Sequence, residues 1–366
     1  MTGSRKKIVV DAREFTPRHF TGIGRVLFGL AGALAEMAFV DKIILAASSY
    51  EAVPVKLKSM KRIAIKKVPG PFLASERYLT HLTKGDACLF LSPYPKLPLF
   101  RCHCPTIHTI HDVLYLTHPV YKRRFRASFD LLRLKMALRK ADITWYDSSW
   151  SMKETKRLVG SAGTNPKVRH LGLNERFSPA AARQGRAVLG KYGLQPGYIL
   201  VVGNGLPHKN LGVLLQISHK LKRRLVFVGV SQKHAARWKA TYPHARGAWI
   251  ESVAEEDLPG VITNAFCLAQ PSTAEGYGYP PLEAMSCGVP AVVSDIPVLV
   301  ETTGGHALTA DPHEPEKWEE AFASLEDDAL FSRQIDKGLK WVAPYVGQDG
   351  WRRHMSDIKE LMSAHD

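Results

Sequence analysis

Two glutamates eight positions apart, Glu275 and Glu283, bracket a Gly-Tyr-Gly-Tyr-Pro-Pro run in AEGYGYPPLEAMSCGVPAVVSD (274–295). Ionised carboxylates accept hydrogen bonds from hydroxyls, so a pair held by a rigid glycine-proline loop can address two parts of one polyhydroxylated ligand. The plainer reading makes Glu283 a favourable charge in the first turns of a helix and Glu275 a loop carboxylate. Lys209 follows a glycine-containing turn in VVGNGLPHKN (201–210), where a lysine supplies mobile positive charge to a diphosphate. A helix start disfavours cations, which argues for a ligand over a merely solvated side chain. Thr21-Gly22-Ile23-Gly24-Arg25 stands where a loop becomes a helix. Its glycines permit close backbone approach and the helix N–H groups attract an anion, with a helix cap or a packing turn as alternatives. His111 and Asp112 follow the strand-like PTIHTI; the histidine can exchange a hydrogen bond with a sugar oxygen near neutral pH, and Asp112 can fix its ring or act on its own. His108, inside the same strand, reads as a packing histidine. Cys102, His103 and Cys104 lack both the two-residue gap and the second ligand pair of a metal site, so no metal is expected.

These residues need elements that bring them to one edge. KKIVVDAR (6–13) reads as a short buried strand, and TGIGRVLFGLAGALAEMA (21–38) has helical apolar spacing. LAASS (45–49), ACLFLS (87–92), PTIHTIHD (105–112) and ADITWYDSS (141–149) mark further strands, with an amphipathic helix before the last. The alternation pauses at 175–197, polar with Gly and Pro, where a domain junction is expected. A second series follows: YILVVGN (198–204), NLGVLLQISHKL (210–221), RRLVFVG (223–229), a helical stretch near 231–240, AFCLAQPS (265–272), PLEAMSCG (281–288) and PAVVSD (290–295). The fold class is therefore α/β, two Rossmann-like parallel-sheet domains facing each other across a cleft, with ligands beyond the carboxyl ends of the strands.

The 366 residues suffice for two cores, and 45% hydrophobic with 23% charged residues is globular composition. No run approaches 18 apolar residues, the N-terminus carries no long apolar leader, and the five cysteines sit mostly in apolar surroundings, which suggests a reducing, cytoplasmic setting. The net charge of +16 is uneven: residues 1–186 hold 33 Lys and Arg against 13 Asp and Glu, whereas residues 187–366 hold 17 against 21. Basic residues concentrate at 56–67, including Lys61, Arg62, Lys66 and Lys67, and at 122–140. Such a field attracts anionic lipid, a phosphate-linked acceptor or nucleic acid alike. In the second cluster Phe125, Phe129, Leu132 and Met136 recur at three or four residues up to Lys140, with Arg124, Arg133 and Lys135 beside or opposite them. That stripe either lies on a membrane surface or packs the helix onto the sheet.

Together, DAR (11–13), TGIGR (21–25), TIHD (109–112), PHKNL (207–211) and EGYGYPPLEAMSCGVPAVVSD (275–295) resemble the GT4 family of glycosyltransferases, whose fold is called GT-B. The likeness is nearest to its bacterial polysaccharide mannosyl- and rhamnosyltransferases and covers roughly residues 7–330. The resemblance implies an N-terminal acceptor-binding domain over 1–180 and a C-terminal nucleotide-sugar-binding domain over 181–366, the last helix crossing back to the first. It implies that Glu283 holds the nucleotide ribose, that Glu275 approaches the donor sugar and stabilises the reacting state, and that Lys209 and the Gly22–Gly24 loop meet the diphosphate. It puts His111 against the donor sugar, making Glu275, Lys209 and His111 the catalytic set. Asp112, Asn204, His208, Gly276, Tyr277, Gly278 and Tyr279 complete the substrate-binding set. The chain departs from the family pattern where an arginine is common, at Asn204 or His208, carries Leu206 where an acid is common, and reads EGYG for EGFG.

The resemblance implies metal-independent hexosyl transfer with retention of configuration and no cofactor beyond the nucleotide-sugar substrate, GDP-mannose being the first donor to consider. The acceptor would be a lipid-linked or oligosaccharide one in cell-surface polysaccharide synthesis, lipopolysaccharide included. The enzyme would be cytoplasmic, peripheral on the inner face of the membrane, and without specific nucleic-acid partners. Two rivals are a sugar-nucleotide epimerase of similar fold, which needs no acceptor, and a non-catalytic basic membrane- or nucleic-acid-binding protein, which leaves the EGYGYPPLE segment unexplained. Neither glycine loop is a GxGxxG fingerprint, and no acidic residue stands in the ribose position that a nicotinamide site needs.

Overall fold

The computed structural model describes residues 6–16, 21–118 and 124–365. Two compact units divide the chain, one formed by residues 1–172 with 347–366 and the other by 173–346. The polar stretch 175–197 thus lies wholly within the second unit, and the chain leaves the first at Gly172.

The first unit carries seven parallel strands: β1 (Lys7–Asp11), β2 (Lys42–Ala47), β3 (Ile63–Lys67), β4 (Ala87–Ser92), β5 (Thr106–Ile110), β6 (Ile143–Tyr146) and β7 (Pro166–Val168), in the order β3-β2-β1-β4-β5-β6-β7. The second carries six: β8 (Tyr198–Val202), β9 (Leu225–Val228), β10 (Gly247–Ile250), β11 (Ala265–Gln270), β12 (Ala291–Ser294) and β13 (Leu308–Ala310), in the order β10-β9-β8-β11-β12-β13. Central strands are continuous apolar runs because helices cover both faces of a parallel sheet. In each sheet the chain winds outward from the first strand and then returns to pair with that strand's other side. The switch points fall between β1 and β4 and between β8 and β11, and ligands of open α/β sheets bind beyond the carboxyl ends there.

The helix Arg352–Ser363 belongs to the first unit. Its buried Asp357 accepts hydrogen bonds from Trp145 Nε1 (2.9 Å), Arg169 Nε (2.8 Å) and Lys167 Nζ (2.9 Å). The Trp351 ring lies so close to Gly29 and Gly172 that a Cβ at either would stand 2.6 or 2.4 Å from it.

Some residues read from sequence as surface charge are internal. Arg62 donates to the carbonyls of Ala35 (3.1 Å) and Met37 (2.7 Å) at the end of helix Gly22–Glu36, so it closes a helix instead of facing an external anion. Arg133 is buried, donating from Nη2 to Glu76 Oε2 (2.8 Å) and to the Leu97 carbonyl (2.7 Å). On helix Arg124–Lys140 it is Leu134, Ala137 and Leu138 that pack in the buried core, while of the apolar stripe Met136 is half-buried and Phe129 and Leu132 are exposed. Residues 122 and 123 and the side chains of Arg124 and Phe125 lie outside the described residues.

Candidate functional site

In the second unit Lys209 and Glu275 meet. They follow β8 and β11, the two strands that flank the switch point. Glu275 Oε1 accepts three hydrogen bonds, from Lys209 Nζ (2.6 Å), Gln270 Nε2 (2.5 Å) and Ser272 Oγ (2.6 Å). Gln270 ends β11 and also donates to Ser272 Oγ (2.9 Å), so the strand end fixes both partners of the carboxylate. The loop after β8 is tied to the loop after β11 where Thr273 N donates to the His208 carbonyl (2.8 Å). Burial opposes ionisation of Glu275, but the charge of Lys209 and the hydrogen bonds from Lys209 and Ser272 outweigh it, and the carboxyl sits below the usual glutamate range.

The backbone explains why Lys209 is held there. Its aliphatic stem runs over Gly203, where a Cβ would lie 3.5 Å away. Gly205 has φ +72° and a Cβ there would come 2.7 Å from Val230, so the turn admits only glycine. Lys209 does not start a helix as the sequence suggested. It ends the 3-10 turn Pro207–Lys209, and Asn210, left-handed at φ 51° and donating to the Pro312 carbonyl (2.6 Å), redirects the chain into helix Leu211–Ile217. His208 is buried in that turn. Asn204 is exposed and shapes the loop, its side chain accepting from Leu206 N (3.2 Å) and its carbonyl bonding His234 Nδ1 (2.9 Å).

Gly276 to Tyr279 lead from Glu275 into helix Tyr279–Ser286. Gly278 has φ +92°, with Leu299 only 2.5 Å from where a Cβ would stand. The buried Tyr277 ring meets Tyr279 edge to face at 5.4 Å. Glu283 is the fifth residue of the helix and buried. It therefore stands within the first turns of the helix, as the plainer sequence reading had it, but buried.

In the first unit, Thr21 caps helix Gly22–Glu36: its hydroxyl accepts from Gly24 N (2.9 Å) and donates to Glu14 Oε1 (2.8 Å). Gly22 and Gly24 thus form a helical first turn, with open space where a Gly22 side chain would be. His111 follows β5, but its ring partner is Asp147, just beyond the end of β6, and not Asp112. Nδ1 lies 2.5 Å from Asp147 Oδ2 and Nε2 lies 3.1 Å from the Pro93 carbonyl. Both partners are acceptors, so the geometry asks for a proton on each nitrogen. Burial lowers the His111 pKa, yet the Asp147 charge and hydrogen bond raise it further, leaving it above the ordinary histidine value. Asp112 accepts from Leu114 N (2.9 Å). His108 is fully buried against Thr144 Oγ1 (2.9 Å), and burial drives its pKa down to about 3.

A titration can check the His111 pair. A group with a raised folded pKa contributes stability that is complete below its unfolded value, about 6.5, and is lost as pH rises through the folded pKa. In Asp147→Asn the burial penalty remains without the carboxylate, so the ring should titrate below the ordinary value and this alkaline loss of stability should vanish. Imidazole proton shifts followed against pH measure it; an unchanged titration would remove the proposed pairing.

Gln270, Ser272 and Asp147 were not singled out in the sequence. Asp147 carried a usable signal, an acid immediately after a strand in ITWYD. The cysteines are free thiols; burial raises Cys102 to about 11 and Cys104 to about 12. Among the described residues no group of three or more His, Cys, Asp or Glu is placed to hold a metal ion.

Two doubly wound parallel sheets in one chain define the GT-B class of glycosyltransferase folds. Solved structures of that class match along the whole chain: Anabaena Alr3699/HepE in complex with UDP-glucose has a TM-score of 0.75 at 16% identity, covering 98% of this chain and 99% of that one. WaaG, a glycosyltransferase involved in lipopolysaccharide biosynthesis, has a TM-score of 0.69 at 11% identity, covering 92% and 95%. The family model for glycosyl transferases group 1 matches residues 190–340. O-antigen chain mannosyltransferase B of Escherichia coli is 31% identical over 245 residues, 64% of each chain. The O-antigen chain mannosyltransferase RfbU of Salmonella typhimurium is 24% identical over 249 residues, 66% of each. These matches span just under two thirds of the relatives' length. The chain thus has the GT-B fold, matches the glycosyl transferases group 1 model over 190–340, and is similar to bacterial O-antigen mannosyltransferases over about two thirds of its length.

Proposed function

We propose that the protein is a retaining, metal-independent hexosyltransferase that moves a sugar from a nucleotide donor to a lipid-linked or oligosaccharide acceptor of a cell-surface polysaccharide. The observation that carries this reading is the Lys209–Glu275 contact at the β8/β11 switch point. Donor binding would bring a diphosphate to an ammonium group that is now paired with a carboxylate. Lys209 would exchange or share its partner, and Glu275, still held by Gln270 and Ser272, would be left to face the sugar. As the glycosidic bond breaks, the diphosphate gains charge and the sugar becomes oxocarbenium-like; Lys209 stabilises the first and Glu275 the second. In retention through the front face, the departing diphosphate takes the acceptor's proton. Glu283 would hold the ribose hydroxyls. His111 would contact the sugar, which requires Nε2 to release the Pro93 carbonyl.

GDP-mannose stands first because the sequence relatives are named as mannosyltransferases, and UDP-glucose second because a protein of the same fold was solved with it. Gly22 and Gly24 begin a helix whose N-terminus suits the diphosphate, and Asp112, Asn204, His208 and the 276–279 loop line up as binding residues in the same reading. We place the enzyme in the cytoplasm, docked on the inner face of a membrane that carries the acceptor. Among the described residues no helix is long and apolar enough to cross that membrane.

A donor panel with and without a lipid-linked acceptor, read by release of nucleoside diphosphate, is the test. The expected result is acceptor-dependent release of GDP from GDP-mannose with the product keeping the donor's anomeric configuration. No release from any donor would defeat the reading, and an inverted product would defeat retention. Glu283→Ala should weaken nucleotide binding roughly 10- to 150-fold, the worth of one hydrogen bond to a charged acceptor. Unchanged affinity in a folded variant would remove the ribose assignment.

A further inference from the structure

Five of the seven large hydrophobic side chains that stand exposed among the described residues come from three neighbouring segments of the first unit: Phe72 (46% exposed), Leu73 (53%), Phe100 (39%), Phe129 (43%) and Leu132 (56%). Phe72 and Leu73 open helix Phe72–Leu82, while Phe129 and Leu132 lie on the outward face of helix Arg124–Lys140. The segments touch, because the Phe72 and Phe129 rings meet edge to face at 6.0 Å. The buried Arg133 guanidinium lies 5.6 Å from the Phe72 ring and fixes it from below, with its charge met by Glu76. An exposed apolar cluster braced in this way is a surface built to be covered, since scattered exposed residues would not share contacts.

The rim names the cover. Exposed Arg77 stacks on Phe100 at 5.7 Å, Arg101 is exposed beside it, and Lys135 and Arg139 continue the outward face that Phe129 and Leu132 begin. Half-buried Asp130 is the acid within this stretch of helix. The unit as a whole holds 33 Lys and Arg against 16 Asp and Glu, a formal +17, whereas the second unit holds 17 against 18. A second copy of the chain would bring the same cationic rim against itself, and like charges across an interface repel. We propose that the Phe72–Leu73, Phe100 and Phe129–Leu132 patch is a membrane-docking surface. Its apolar side chains enter the headgroup region while Arg77, Arg101, Lys135 and Arg139 pair with anionic lipid. The inference deepens the membrane placement given above by naming the surface that docks, and it rests on that placement but not on the transfer chemistry.

The experiment is co-sedimentation of the full chain with vesicles of phosphatidylcholine alone or mixed with phosphatidylglycerol, at low and high salt. Binding should require the anionic lipid and weaken with salt. Phe72→Ser, Leu73→Ser, Phe129→Ser and Leu132→Ser combined should lower partitioning at least roughly tenfold. Arg77→Ser, Lys135→Ser and Arg139→Ser combined should lower it roughly 100-fold, at about fivefold per basic residue. Lys153→Ser with Lys156→Ser, exposed on another helix, should cost far less. If the serine variants fold poorly, Leu132→Trp keeps the question open to measurement, and its emission should shift to the blue on anionic vesicles alone. Equal recovery on both lipids, no recovery on either, or anionic binding indifferent to the apolar changes would overturn the proposal. So would a dimer in solution that Leu132→Ser dissociates. Nucleoside diphosphate release from the donor, with a soluble acceptor present, should be the same in every patch variant, which separates failure here from failure of the transferase reading.

Discussion

Lys209→Met is expected to cut turnover at saturating donor roughly 100- to 1,000-fold, the usual loss when one preorganised charge opposite a developing anion is removed. The thioether side chain keeps the apolar stem that covers Gly203, so the loop after β8 retains its packing and only the ammonium is lost. Gln270 and Ser272 continue to hold Glu275 in place, and the variant therefore isolates the cation from the geometry around it. Because the diphosphate is more negative in the transition state than in the bound donor, the loss should fall mainly on kcat and less on donor affinity. Donor saturation curves and a nucleotide titration, with circular dichroism to confirm folding, make the measurement. Turnover within a few-fold of wild type at saturating donor would take Lys209 out of the mechanism.

The two parallel sheets were legible because their central strands are continuous apolar runs ending in Gly, Asp or Ser, and helices of 3.6-residue period separate them. β3, β7, β10 and β13 were not, and all four lie at or next to sheet edges. β3 reads IAIKK, half exposed and ending in two lysines that blunt an edge, so it looks like part of a basic run. At the site, residue type and position after a strand marked Lys209, Glu275 and His111. Partnership was harder to read: Asp112 is adjacent to His111 in sequence, yet Asp147 bonds it, because β5 and β6 are paired neighbours whose ends lie side by side. Gln270 and Ser272 were invisible for a related reason, since neither residue type signals catalysis and their role is to aim a carboxylate. Arg62 and Arg133 show what a charge count hides. Each has a partner far along the chain, and only packing reveals which cations remain for a ligand or a surface.

Glu275→Gln should destabilise the ligand-free second unit by about 3 kcal/mol at neutral pH, because breaking a buried pair leaves an ammonium without its counter-charge. The amide keeps the shape and an oxygen to accept from Gln270 and Ser272, so the cost is electrostatic. Glu275 has a folded pKa below its ordinary value. The stability it contributes is therefore complete above the unfolded value of about 4.3 and is lost as pH falls through the folded pKa. Urea unfolding at a series of pH values should show the wild type converging on the variant in acid, with the gap open near neutrality. A gap of the same size in acid, or none at pH 7, would contradict the ion pair as the source. Nucleoside diphosphate supplies a second test: it offers Lys209 a new anion, and in the variant that cation has no carboxylate to leave. Saturating nucleotide should thus raise the stability of Glu275→Gln more than that of the wild type, even though the variant turns over little. Equal stabilisation of both proteins would mean that the diphosphate does not reach Lys209, and the proposed exchange of partners at the β8/β11 edge would have to be abandoned.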